Sequence, residues 1–220
     1  MTRAEIFRIA IDGPSGAGKS TIAKKVAKIL GIDYIDTGAM YRAVALKLIR
    51  QDVDAFGDQD VLNDLLTETV VDLDGGRVLL DREDVTDLIR TPEVSAEASR
   101  SSAAAPIREK LVSLQRAMGM TKSVIMDGRD IGTNVFEDAE YKFFMTASPG
   151  ERANRRYKEL KAAGAPDSFE DVLAAIEKRD YDDSHRELNP LQVADDAIMI
   201  DTDSLNIEEV SELLLSYIDR

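Results

Sequence analysis

The run Gly13-Pro14-Ser15-Gly16-Ala17-Gly18-Lys19-Ser20, directly after an apolar stretch at residues 6–11, constrains this chain more than any other feature. It fits the pattern G-x-x-x-x-G-K-[ST]. Between a strand and a helix, that pattern builds a nest of backbone N–H groups around the phosphates of a nucleoside triphosphate. Glycine is needed there because a side chain would block the phosphates and because tight loops take positive φ. Lys19 would reach the outer phosphates as a point charge, and the Ser20 hydroxyl would ligate Mg²⁺. A helix expected over residues 19–30 would turn its positive end to the anion. It carries Ile22, Val26, Ile29 and Leu30 at helical spacing, with Gly31 as its C-cap.

With 220 residues, one domain with insertions is the default. A composition of 44% hydrophobic and 32% charged residues reads as globular and soluble. No apolar run approaches the roughly 18–20 residues that span a bilayer. Residues 1–5 lead straight into the first strand, which leaves no room for a signal peptide. Zero cysteines exclude disulfides and zinc–thiolate sites and fit a cytoplasmic setting. The single histidine, His185, reads as a helix-surface residue and argues against a Ser-His-Asp triad or a multi-histidine metal site. The net charge of −14 argues against nucleic acid polymers as partners. A triphosphate site still needs local positive charge, so the placement of the 28 Lys and Arg residues becomes the question.

Strands are expected at residues 6–11, 32–35, 124–126, 141–146 and 197–200. Four of them run into Asp12, Asp36, Asp127 and Asp201. Helical patterns between them predict an α/β fold with a parallel sheet, whose ligands gather at the carboxyl ends of the strands. One helix should begin at Pro106 and carry Ile107, Leu111, Leu114 and Met118. The last should begin near Ser204 and bury Ile207, Val210, Leu214 and Tyr217 or their near neighbours. Residues 68–85 break the alternation: two short apolar runs flank Asp74-Gly75-Gly76, which predicts an antiparallel hairpin inserted at the rim.

Three arginine motifs bear on the chemistry. In Asp36-Thr37-Gly38-Ala39-Met40-Tyr41-Arg42, Arg42 would face the strand ends, where a guanidinium can clamp a second phosphate. In Asp127-Gly128-Arg129-Asp130, Asp127 holds the place of the carboxylate that organises Mg²⁺ and its waters. Gly128 stands where a hydrolytic motor would carry an acid. Arg129 and Asp130, taken alone, could simply pair with each other on the surface. Arg152, Arg155 and Arg156 share one helical face, and three like charges there destabilise a helix unless an anion sits among them. A mobile lid closing on phosphates would supply that anion. Arg179 and Arg186 flank a further stretch rich in carboxylates.

Together, residues 13–21, 36–42, 127–133 and 179–186 resemble the bacterial cytidylate kinases, within the nucleoside monophosphate kinases. The resemblance runs from the first strand to the last helix. It implies a P-loop NTPase-type three-layer α/β fold: a central five-stranded parallel sheet flanked by helices, a small three-stranded antiparallel insert and a short lid. It also implies one kinase domain over residues 1–220. The core would be about 1–36, 103–149 and 167–220, the acceptor-nucleotide region about 37–102, and the lid about 150–166. ATP would lie on residues 13–21 (Gly13, Pro14, Ser15, Gly16, Ala17, Gly18, Lys19, Ser20 and Thr21) with Arg152 and Arg156. Ser99, Arg108 and Asp130 would read cytosine, and Arg42, Arg129 and Arg186 would hold the acceptor phosphate. Arg179 and Asp183 would contact the sugar, with Thr37 and Tyr41 lining the pocket. Lys19, Arg129, Arg155 and Arg156 would be catalytic. Mg²⁺ would be held by Ser20 and, through water, by Asp127. The implied partners are ATP and CMP or dCMP, with no membrane and no polymer, and the chain is expected to be a monomer.

A phosphate acceptor is already anionic near neutral pH, so the implied reaction needs no general base, which fits a chain with one histidine. Two other readings stay open from the residues alone. One is a P-loop kinase for UMP or a small metabolite alcohol; an alcohol would want a base and fewer phosphate-clamping arginines. The other is a nucleotide-dependent switch, although no Asn-Lys-x-Asp guanine-reading motif occurs.

Overall fold

The computed structural model describes residues 6–162 and 164–218, so the expectation placed on residues 1–5 lies outside the described residues. Two compact units emerge: Met1–Tyr34 with Gly119–Arg220, and Ile35–Met118. In chain order the elements begin with β1 (Arg8–Asp12), α1 (Lys19–Leu30), β2 (Asp33–Asp36), α2 (Thr37–Gln51) and α3 (Gln59–Glu68). Next come β3 (Val71–Asp74), β4 (Arg77–Leu80), β5 (Glu83–Asp84), α4 (Pro92–Ser101) and α5 (Ala105–Met118). The chain continues with β6 (Val124–Gly128), a π turn (Ile131–Val135), β7 (Tyr141–Thr146), α6 (Pro149–Ala162), α7 (Phe169–His185), β8 (Ile198–Asp201) and α8 (Ile207–Ser216).

The five-stranded parallel sheet has the order β2-β6-β1-β7-β8. Ile11 pairs with Asp127 on one side and Phe143 on the other, and Thr146 pairs with Asp201, so the strand ends bearing aspartates line up. Central parallel strands are covered on both faces and therefore read as unbroken apolar runs. Ile9-Ala10-Ile11 and Val124-Ile125-Met126 are such runs, and all six side chains are fully buried. Alternate residues Ile9, Ile11, Ile125, Phe143, Met145 and Ile200 join Ile22 and Val26 of α1 and Val210 and Leu214 of α8 in one core. Each large aliphatic chain buried there contributes about 1.5–3 kcal/mol, which fixes the strand ends from which the loops leave. On β1 the period of two then places Ala10 and Asp12 on the other face of the sheet.

Several helix faces differ from expectation by a residue or two. α1 buries Ala23 and Ala27, and leaves Ile29 47% exposed. Gly31 caps it in the left-handed region as expected. α8 begins at Ile207 because Asn206 and Glu209 form a capping box, so the buried stripe becomes Val210, Leu214 and Ile218, with Ile207 and Tyr217 outside. α5 buries Ile107, Leu111, Val112 and Gln115, and leaves Leu114 and Met118 at its margin. α6 and α7 pack through a small cluster of their own, Ala153, Val172 and Ile176, beside an edge-to-face contact of Tyr157 and Phe169.

In the second unit, β3, β4 and β5 form an antiparallel sheet. The first turn uses Gly75 and Gly76 at positive φ, as the Asp-Gly-Gly signal predicts. The second turn puts Asp81 (φ 51) and Arg82 (φ 74) in the left-handed region without a glycine. Asp81 is held there by the buried Lys47 ammonium at 2.7 Å and by the Val70 N–H at 2.8 Å. Asp36, Asp58 and Thr91 cap α2, α3 and α4 with side-chain acceptors. Among the described residues, no helix is long and apolar enough to cross a membrane.

Candidate active site

The loop between β1 and α1 is shaped by close approach. Gly13 has φ 144, and a Cβ there would collide with the Met145 carbonyl oxygen on β7. Gly13→Ala is expected to cost about 3 kcal/mol in strain and overpacking. At this chain length that lowers Tm by roughly 6–12 °C. A thermal melt within about 2 °C of the wild type would show that the loop has room for a methyl group. Gly18 takes φ 87 as the N-cap of α1, so the first helical amides point into the loop rather than onto a capping side chain.

Lys19 is buried, and its Nζ donates to the carbonyls of Gly13 and Pro14, both at 2.7 Å. Burial, and then the neighbouring Arg129 guanidinium, push this ammonium well below the ordinary lysine range. Asp127, Asp12 and Asp183 pull in the opposite direction. Lys19, Arg129 and Asp183 are therefore electrostatic neighbours beside the glycine loop. The Ser20 hydroxyl donates to Asp127 Oδ2 at 2.8 Å, which joins the loop to the end of β6. The other oxygen of Asp127 accepts from the Tyr34 phenol at 2.7 Å. Tyr34 is a site residue that sequence reasoning missed, since a tyrosine in a short strand carries no distinguishing signal.

Two guanidiniums of this unit, Arg129 and Arg186, are held by carboxylates. Arg129 Nε donates to Asp183 at 2.7 Å, and Arg186 donates to Asp130 at 3.1 Å and to the Asn189 carbonyl. Arg129 and Asp130 are thus partnered through α7 and the segment after it, not with each other. Asp130 also accepts from the Asn134 amide at 3.0 Å. Although burial opposes charge on Asp183, Arg129, Arg179 and Arg186 keep its carboxyl below the usual range.

The three α6 arginines do not share an open rim. Arg152 is buried, donates to Asp180 at 2.9 and 2.5 Å, and reaches the Ser15 carbonyl of the glycine loop at 3.1 Å. Arg155 donates to Glu151 and to the side chain and carbonyl of Thr202, whose hydroxyl in turn donates to the Ala17 carbonyl. Arg156 is half exposed and pairs with Glu159 at 3.1 Å, away from these contacts. Local carboxylates therefore relieve the like-charge repulsion, so no added anion is needed to form this helix. Asp180 and Thr202 are further residues that the motifs did not single out. An open cavity of about 690 Å³ lies beside Arg152, lined in part by Pro14, Thr146, Ser148 and Asp203. His185 stacks on Tyr181 at 4.0 Å on the surface of α7, as a surface histidine should.

In the second unit, Thr37 is buried at the start of α2 and Arg42 lies 3.5 Å from Asp36. Arg108 is buried, stands 5.9 Å over the Tyr41 ring and donates to the Ser102 carbonyl. Ser99 lies partly exposed on α4, and its carbonyl accepts from the Ser102 hydroxyl.

A glycine loop closed on a buried lysine, with its serine bonded to a strand-end aspartate on a parallel sheet, defines a P-loop phosphotransferase. The cytidylate kinase family model matches residues 9–220. A cytidylate kinase of Caldanaerobacter subterraneus subsp. tengcongensis is 52% identical over 213 residues, covering 97% of this chain and 95% of its own. One from Clostridioides difficile is 49% identical over 211 residues, covering 96% and 97%. The chain belongs to the cytidylate kinase family. A solved, uncharacterized protein from Eubacterium ventriosum shares the fold, with a TM-score of 0.51 at 13% identity over 98% of this chain and 99% of its own.

Proposed function

We propose that the protein transfers the γ-phosphoryl group of ATP to a phosphate oxygen of CMP or dCMP, giving ADP and the corresponding diphosphate. The observation that carries this reading is the glycine loop closed on buried Lys19, with Ser20 bonded to Asp127 at the end of β6, in a chain of the cytidylate kinase family. The Arg129 guanidinium, which adds to the burial that depresses the Lys19 ammonium, favours a polyanion beside the glycine loop. The loop and Lys19 would bind the donor phosphates. Arg42, Arg129 and Arg186 would bind the acceptor phosphate, with Ser99, Arg108 and Asp130 on the base and Arg179 and Asp183 on the sugar. The acceptor oxygen is already ionised near neutral pH, so the chain's task is alignment, charge neutralisation and exclusion of water.

Ser20 Oγ and Asp127 offer hard oxygen donors, which suits Mg²⁺ bound through one carboxylate and the substrate phosphates. When bound, Mg²⁺ neutralises charge on the transferring phosphates. Tyr34 would keep Asp127 turned toward Ser20. We infer that the protein works in the cytoplasm as a monomer; its lack of cysteine fits the reducing setting of the first of these.

A coupled ADP-release assay with CMP, dCMP, UMP, AMP, GMP and no acceptor tests the reading. Turnover should be fast with CMP and dCMP and slow with the others. Slow ATP hydrolysis indifferent to the acceptor would replace the kinase with a switch, and a preference for UMP would replace the acceptor.

A further inference from the structure

The Asp12 carboxylate has no part in the reading above, yet it is buried beside the site. It ends β1, one residue before the glycine loop. Its Oδ1 accepts from the Ile131 N–H at 2.8 Å and its Oδ2 from the Gly132 N–H at 2.7 Å. Those amides open the π turn, and the two residues before them are Arg129 and Asp130. Asp130 has φ −144 and ψ 30, outside helix and strand, so its backbone is set by what holds the turn. Gly132 packs tightly here: an added Cβ would lie 3.4 Å from Asp12 Oδ2 and 3.2 Å from Lys142 Cδ. Burial, helped by the nearby Asp130 charge, pushes the Asp12 carboxyl up to about 6, against the two N–H bonds and Lys19.

We propose that Asp12 is a positioning residue for acceptor selection: it fixes the Arg129–Asp130 segment to the start of the phosphate loop. The proposal rests on the reading of Asp130 as a base contact. One carboxylate can accept from both amides at once, which sets where the π turn begins and so where Asp130 points. An asparagine offers one acceptor and sets its own NH₂ against the other N–H.

The test is Asp12→Asn in the full chain, with Asp130→Asn measured alongside. KM for CMP should rise about 10-fold, as expected for a buried donor left unmatched. The ratio of kcat/KM for CMP over UMP should fall about 5-fold or more, while KM for ATP stays within about 2-fold. Equal rises in both KM values, or a fall in kcat with the ratio unmoved, would overturn the proposal. If Asp130→Asn leaves the ratio unmoved, the base assignment fails, and Asp12 is then judged by the split between the two KM values. If Asp12→Asn melts early, calorimetric binding of CMP and of ADP in the cold gives the same comparison on the folded protein.

Discussion

Lys19→Ala is expected to lower kcat by about 10²–10³-fold, the scale of losing one preorganised donor to a charged transition state. The ammonium is enclosed, tied to the Gly13 and Pro14 carbonyls, and depressed by burial and by Arg129. Arrival of a triphosphate would add negative charge against the burial and the Arg129 charge that now depress this cation, and the gain grows as charge builds on the transferring oxygens. Alanine removes that gain but leaves the glycine geometry and the Ala17 and Ile22 packing in place, so the fold should survive. Steady-state kinetics at saturating ATP and CMP, with a thermal melt on the same sample, provide the check. A folded variant retaining more than about a third of its turnover would mean that the donor phosphates lie elsewhere.

Asp130→Asn is expected to reduce kcat/KM for CMP by about 10–100-fold and for UMP far less, the scale of one base-edge pairing worth 1–3 kcal/mol. Cytosine presents an amino donor where uracil presents a carbonyl. A carboxylate accepts from the first and repels the second. In the protein both oxygens of Asp130 are also acceptors, one from Arg186 and one from Asn134. The amide can satisfy only one of those donors, so a moderate loss of stability should accompany the change in selectivity. Equal losses for CMP and UMP would show that Asp130 maintains the site without reading the base.

The strands and the phosphate loop were legible in the sequence because both are local patterns. Continuous apolar runs marked β1 and β6, and the glycine spacing marked the loop. The hairpin was legible for the same reason at Gly75-Gly76. The next turn was not, because Asp81 and Arg82 adopt left-handed geometry only with Lys47 and Val70 holding Asp81, and a partner 34 residues away leaves no local trace. The arginines were visible as charges, but their partners were not. Sequence spacing could not show that Arg152 would turn inward to Asp180 and Ser15 while Arg156 stayed outside. Helical periodicity defines a stripe only to within a residue or so, and caps decide where it begins, which is why Ile218 rather than its neighbour Tyr217 is buried and why Ile29 stands exposed beside buried Ala27.

The carboxylate already seated on each of Arg129, Arg152 and Arg186 has a consequence for turnover. A phosphate bound by these arginines, as proposed, would trade places with an internal anion instead of filling a vacancy, so the gain on arrival would be the difference between two similar attachments. Reversal would be correspondingly easy, because the displaced acid would stand ready to reclaim its guanidinium. Such an arrangement would favour quick departure of the diphosphates over tight retention.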